Sequence, residues 1–539
     1  MNMRVADLVA KTLANYGARL AFGMPGGEVI TLIDALNAAG VRFVLARHET
    51  PAAIMAAGAA VASGGPGVLV TTVGPGLANA VNGIADASQE HVPLVVLSGV
   101  VDHAVRGRYT HQVLDQKALL RSVVKGCFEV EVEGAAAVVA RAVELALSEP
   151  MGPVLIELSP GTAERLAAEG SKARTPPHVR RLDVDAHSGT IDWLQKTLAS
   201  AERPLIVAGW TAVRLGGAAA VTAVAERFGC PVITTYKGKG LIPEHHPLSL
   251  GAAGLSPLAD RHLLPLVAAA DVVVLAGYDP IEMRPGWLDP FSDDAEIVEV
   301  SPSRVDHGMH RVSTRIDGDV AVVLSAAAQA RTAPTPVWPD CQIRRTREAL
   351  SQAFALPTPW GPHAVIATLE RHLPANSLVT VDSGAHRILL SQMMQFPAPQ
   401  RLLQSAGFCT MGAALPLAIG AKCSQPERAV FAVVGDGGFE MGLGELATLR
   451  DQGLPVVVIV FQDESLALIE LKQRQSDLKK AGVSLGRTPY EDVARAFGGR
   501  GTRVASRSEL EATLRESLDS TVFSVIVCEI KASDYAGRI

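Results

Sequence analysis

Aromatic residues make up only 4% of the 539 residues, and cysteines number six. Cys127, Cys230, Cys341, Cys409, Cys423 and Cys528 stand far apart, with no Cys-x-x-Cys pair and no histidine cluster. That usage speaks for a reduced cytoplasm and against zinc sites. No run approaches the ~18 consecutive apolar residues that a membrane helix needs. No signal peptide is visible, because Met1-Asn2-Met3-Arg4-Val5-Ala6-Asp7 passes straight into an amphipathic helix. Base is also short: 49 Lys and Arg face 55 Asp and Glu, for a net charge of −6, and no basic face for nucleic acid is suggested. What is present is 48% hydrophobic and 19% charged, rich in Ala, Val and Gly, as in a soluble enzyme of tightly packed helix-on-sheet layers.

The length exceeds what one core supports and predicts three or four domains. Strand-like apolar runs alternate with helical stretches throughout, which predicts an α/β fold with parallel, doubly wound sheets. Arg174–Arg181 and Arg331–Pro339, rich in Pro and charge, read as linkers. The expected domains are therefore 1–170, 185–335 and 350–539. In the central one, Pro204–Gly209, Pro231–Thr235 and Asp271–Gly277 read as strands. An internal echo links the two ends. Gly67–Thr72, Gly74-Pro75-Gly76, a helical stretch and Pro93–Leu97 repeat the layout of residues 429–461. Gly74 to Pro93 is 19 positions and Gly435 to Pro455 is 20. The echo fits a duplicated fold, and two unrelated βαβ units are the alternative.

The second copy carries the chemistry. Ala429–Val434 reads as a buried parallel strand, followed by Gly435-Asp436-Gly437-Gly438. The glycines would free the backbone to approach a phosphate, and a helix starting at about Met441 would aim its positive end there. Leu454–Phe461 reads as the neighbouring strand, leading into Gln462-Asp463-Glu464-Ser465. Adjacent parallel strands end on one edge, so Asp436 and Asp463 converge although 27 positions apart. Two carboxylates beside a diphosphate make a hard-oxygen magnesium site. Gly-Asp-Gly alone is a weak signal, being common in turns.

The full pattern is more specific: Gly-Asp-Gly, a helix with Glu445-Leu446-Ala447-Thr448, then Leu-Pro-Val-Val and a polar cluster. It resembles the thiamine diphosphate signature of the 2-oxo acid decarboxylases and acetolactate synthases. Phe22–Gly27, Ala46–Glu49, Val73–Asn79 and Gly412–Ala421 appear in that group's order. Thr110–Asp115 and Gly277–Glu282 look like the flavin-independent, catabolic acetolactate synthases. The resemblance implies related first and third domains, binding the cofactor's pyrimidine and its diphosphate respectively. It implies thiamine diphosphate and Mg2+ as cofactors. FAD is not expected, since the flavin-binding synthases carry Arg-Phe-Asp-Asp-Arg where Gly277–Glu282 stands.

Residue by residue, Asp436, Asp463 and the carbonyl of Ser465 would bind the metal. Asp463 replaces the family's usual asparagine. Gly435, Gly437, Gly438, Gly384 and His386 would border the diphosphate, and Gly26, Pro75 and Asn79 the pyrimidine. Met411 would prop the bent cofactor, and Leu468, with Ile469 and Gln473, would shape the wall. Cys409 stands where the family has a glycine whose carbonyl meets the 4′-amino group. Glu49, in isolation an ordinary helix-start charge, matches the glutamate at N1′, where a carboxyl drives the imino form that removes the C2 proton. His111 and Gln112 resemble reaction-pocket residues, with Gln112 placed to stabilise a developing oxyanion. In the family the two halves of each site come from different subunits, so a homodimer or homotetramer is implied.

Glu28 departs from the pattern. The catabolic synthases have lysine there, which suits a pyruvate carboxylate that an ionised Glu28 would repel. Either Glu28 points away, or it is protonated, or the substrate is larger or cationic. Alternatively, the basic Arg474–Gly486 segment closes over the site and supplies the missing charge. The leading expectation is decarboxylation of a 2-oxo acid with carboligation, acetolactate synthase-like. The alternatives are a 2-oxo acid decarboxylase or 2-hydroxyacyl lyase on another substrate and, in a different class, a non-catalytic nucleotide-binding module. Glu470, one position from the glutamate of aldehyde-releasing decarboxylases, lies about 100° away around a helix, against simple decarboxylation.

Overall fold

Three parallel six-stranded sheets account for the chain. The structure is a computed structural model and describes residues 3–168, 170–176, 188–303, 307–329, 338–355 and 359–539. The two expected linkers fall largely outside the described residues.

The first sheet comprises β1 (Leu20–Gly23), β2 (Arg42–Leu45), β3 (Gly67–Thr71), β4 (Leu94–Gly99), β5 (Cys127–Glu129) and β6 (Val154–Leu158), in the order β2-β1-β3-β4-β6-β5. The central sheet comprises β7 (Pro204–Ala208), β8 (Val232–Thr235), β9 (Ser249–Ala253), β10 (Val272–Ala276), β11 (Glu296–Ser301) and β12 (Thr314–Asp317), in the order β12-β11-β10-β7-β8-β9. The third comprises β13 (Leu378–Val381), β14 (Leu402–Gln404), β15 (Val430–Gly435), β16 (Val457–Gln462), β17 (Arg500–Val504) and β18 (Ser524–Glu529), in the order β14-β13-β15-β16-β18-β17. The first and third orders are the same permutation. The sequence echo falls on the same two places in it, β3-β4 and β15-β16.

Strand composition follows from this layering. Helices cover both faces, so inner strands have no solvent side and lose the alternation of a half-exposed sheet. Every residue of β3, β4 and β16 is buried accordingly.

Two helices join the first and third domains. The Glu49–Ser63 helix packs against the Ala414–Ser424 helix with backbone against backbone. A Cβ on Gly420 would lie 1.9 Å from the Met55 carbonyl oxygen, and one on Gly58 would lie 2.6 Å from that of Leu417. Only glycine permits that approach. Among the described residues no helix is long and apolar enough to cross a membrane.

Candidate active site

In a parallel sheet, loops at the carboxyl ends of strands converge where the strand order reverses. In the third sheet that point lies between β13 and β15, and a cavity of about 230 Å³ opens there. Gly384, His386, Cys409, Met411, Gly435, Asp436, Gly437, Gly438, Asp463, Ser465 and Leu468 all line it, together with Ile469 and Tyr535.

The helix after β15 runs over Asp436–Gly442, not from about Met441 as the sequence predicts. Its first turn needs no lead-in, because Asp436 Oδ1 accepts the Gly437 N–H at 2.9 Å and satisfies a free donor at once. Gly437 and Gly438 therefore lie inside the helix. Gly438 serves close approach: a Cβ there would stand 1.8 Å from Asp382 Oδ2. Asp382 is fully buried at the end of β13, and its carboxylate accepts Gly412 N–H at 3.0 Å and Ala413 N–H at 2.9 Å. It thereby fixes the turn that follows Met411.

The two predicted metal carboxylates meet. Asp436 Oδ2 accepts Asp463 N–H at 3.1 Å and Glu464 N–H at 2.7 Å, while Asp463 Oδ1 accepts Ser465 N–H at 3.0 Å. Burial pushes Asp436 up to about 6. Burial, and then the Asp436 charge, pushes Asp463 up to about 8. A divalent cation between them would relieve that repulsion, so the donor set fits a magnesium ion. The glycine-lined wall leaves room for a diphosphate beside it. His386, buried and stacked 5.6 Å from Phe461, is driven down to about 3 by burial and by Arg387. Its imidazole is neutral, and Nε2 has no hydrogen-bond partner among the described residues.

Cys409 adopts a left-handed backbone, φ 56°, which explains why glycine suits this position. Its thiol donates to the Ala406 carbonyl at 2.8 Å and receives Arg387 Nη2 at 3.3 Å. The sulfur is thus held in the loop's own bonding.

The residues expected to border the pyrimidine form a separate group on the first sheet, and none of them lines the cavity. Glu49 opens its helix and is buried at 6% exposure, with Asn79 Nδ2 donating to its Oε2 at 3.1 Å. Pro75 begins the next helix, after Gly74 in a left-handed turn. Gln112 is exposed, yet a Cβ on Gly74 would touch its carbonyl oxygen at 2.4 Å, so the His111–Gln112 loop sits over that turn. Glu28 is held beside the Gly26 turn. Thr72 Oγ1 donates to its Oε2 at 2.5 Å, and a Cβ on Gly26 would lie 3.0 Å from the same oxygen.

Two further expectations change. Gln473 does not reach the cavity, because its amide binds the Ala481 backbone at 2.8 Å. In the basic segment, Arg474 and Lys480 both pair with Glu470 at 2.8 Å instead of supplying charge over the site. Glu470 also accepts Ser465 Oγ at 2.6 Å, which ties that segment to the metal loop. Sequence reasoning missed Asp382 and the role of Glu445. Glu445 accepts the Arg47 N–H at 3.0 Å, two residues before Glu49. The sequence gives no sign of these contacts, since Gly412, Ala413 and Arg47 lie far along the chain from the acids that bind them.

Comparison with known proteins identifies the family. Residues 3–119 match the family described as thiamine pyrophosphate enzyme, N-terminal TPP binding domain, and residues 382–528 match its C-terminal TPP binding domain. Residues 191–327 match the thiamine pyrophosphate enzyme central domain. The chain is 30% identical over 543 residues to acetolactate synthase isozyme 3 large subunit of Escherichia coli, covering 95% of this chain and 92% of that one. It is 28% identical over 542 residues to acetolactate synthase of Bacillus subtilis, covering 98% and 94%. A catabolic acetolactate synthase of Raoultella terrigena is 28% identical over 541 residues, covering 98% and 95%. With all three of its parts matched in order, the chain belongs to the thiamine pyrophosphate enzymes and is similar to their acetolactate synthases.

Proposed function

We propose that the protein decarboxylates a 2-oxo acid and joins the remaining acyl unit to a second 2-oxo acid, with pyruvate giving acetolactate. The observation that carries this is the meeting of Asp436 and Asp463 at the ends of adjacent strands, in a chain that also buries Glu49 on the first sheet's carboxyl edge. Bound thiamine diphosphate supplies an electron sink for cleaving a carbon–carbon bond beside a carbonyl.

The chain's own residues do the rest. Asp436, Asp463 and the Ser465 carbonyl would hold the magnesium ion, and Gly435, Gly437, Gly438, Gly384 and His386 would border the diphosphate. Met411 and Leu468 would form the apolar wall, with Cys409 contributing its backbone. Glu49, steadied by Asn79, would supply the carboxyl at the pyrimidine, beside Gly26 and Pro75. Gln112 and His111 face the substrate oxygen. Since Glu49 and the cavity share no lining within one chain, a second copy brings them together in a homodimer or homotetramer of cytoplasmic enzyme. Domains of 1–170, 185–335 and 350–539 fit this division of labour.

Glu28 favours one other reading. A carboxylate held by Thr72 near the pyrimidine turn suits a larger or cationic 2-oxo acid or 2-hydroxyacyl substrate. Mass spectrometry of products from pyruvate, thiamine diphosphate and Mg2+ decides. Acetolactate establishes the synthase, free aldehyde a decarboxylase, and untouched pyruvate moves the search to larger or cationic 2-oxo acids.

A further inference from the structure

The helix Pro75–Gln89, which starts at the pyrimidine-side turn, carries a polar stripe. Asn79, Asn82, Asp86 and Glu90 follow one another at steps of three, four and four, and so share one helix face. Asn79 binds Glu49. The other three reach the 405–411 loop of the third domain. Asn82 Nδ2 donates to Thr410 Oγ1 at 2.9 Å. Asp86, buried at 3% exposure, accepts the Ser405 hydroxyl, and Ser405 Oγ in turn accepts the Thr410 N–H at 3.1 Å. Glu90 Oε1 accepts Ala406 N–H at 2.7 Å and Gly407 N–H at 2.6 Å. That loop ends in Cys409 and Met411, both of which line the cavity.

Two acids one turn apart in a buried junction repel each other, and burial followed by the Glu90 charge raises Asp86 above the usual carboxylate range. The balancing charge comes from the central domain. Lys237, just beyond β8, places Nζ 2.7 Å from Glu90 Oε2 and donates to the Glu90 carbonyl at 2.9 Å. Its ammonium also lies 5.0 Å over the Trp210 ring.

We propose that Lys237 is a positioning residue: by compensating Glu90 it holds the Asn82–Asp86–Glu90 face against the 405–411 loop, and so sets Cys409 and Met411 for the cofactor. This gives the central domain, none of whose described residues lines the cavity, a part in cofactor binding, and it rests on the cavity's being the cofactor site. Removing one partner of a buried pair leaves the other charge uncompensated, whereas removing both does not. The test is calorimetric binding of thiamine diphosphate, with Mg2+ in excess, to the full-length protein and its variants. Lys237→Met is expected to weaken binding about tenfold or more, with Lys237→Arg recovering most of it. The double variant Glu90→Gln/Lys237→Met should bind more tightly than Lys237→Met alone. If Lys237→Met does not fold, the double variant still does under this proposal, and its affinity is compared with that of Glu90→Gln.

Wild-type affinity in Lys237→Met overturns the proposal, as does a double variant no better than Lys237→Met. Wild-type protein that takes up no thiamine diphosphate refutes the cofactor site itself, and the proposal with it.

Discussion

The first and third sheets have the same strand order, yet their carboxyl edges are built for opposite work. After β15 the chain turns at once into a helix whose first residue, Asp436, is an acid, and two glycines keep the opening bare. After β3 the corresponding stretch runs through Thr72, Val73 and a left-handed Gly74 before Pro75 begins the helix. One edge gathers the Asp436 and Asp463 carboxylates beside a glycine-lined cavity. The other presents Glu49 against Asn79 and Glu28 against Thr72. The topology supplies two equivalent places, and a few residues at strand ends decide the chemistry of each one.

Substitutions on each edge should therefore fail in different ways. Glu49→Gln should bind cofactor normally yet lose turnover on the order of 10²-fold or more, measured as product formed per active site. Asp436→Ala should instead weaken Mg2+-dependent cofactor binding at least about tenfold, with the loss read by titration calorimetry. If both variants lost affinity alike, the division between the edges would collapse. Gly438→Ala drives a methyl into Asp382 Oδ2 and should destabilise by about 1–3 kcal/mol in thermal melts. The equivalent change at Gly27, where a Cβ meets nothing within 4 Å, should leave stability unchanged.

The smallest effect concerns pH. Asp463, raised to about 8 without metal, favours the folded state when protonated, so its contribution is full below the ordinary carboxylate pKa and lost as pH rises toward 8. Melting temperatures of metal-free protein should then show Asp463→Asn gaining on the wild type by a few degrees between pH 5 and 8. Excess Mg2+ should erase the gain.

Much of this was legible because it is local. Apolar runs without alternation announce buried parallel strands, and the Gly-Asp-Gly to Gln-Asp spacing places two acids on one edge. The duplicated layout is visible as an echo, and the shared strand order of the first and third sheets accounts for it. What stayed hidden depends on partners distant in sequence. Asp382 looks like any strand-end acid until Gly412 and Ala413 are folded against it. The steps of Asn82, Asp86 and Glu90 are plain in the sequence, but their partners at 405–410 lie more than three hundred residues away. The helix start was misplaced because two glycines read as a loop. Only the structure reveals Asp436 satisfying its own first turn and Asp382 filling the space that a side chain would need.

The close backbone approaches of Gly58 to Leu417 and of Gly420 to Met55 have a consequence for how such a protein can change. Two helices that approach this closely leave no room for a larger side chain at either glycine. Main-chain contact, together with the packing of Ile54 on Leu417, therefore fixes how the first and third domains meet. A saturation library scored for folding should find these two positions nearly intolerant, while the rim residues around both half-sites accept replacement. New substrate preferences can then be sampled at those rims without realigning the halves.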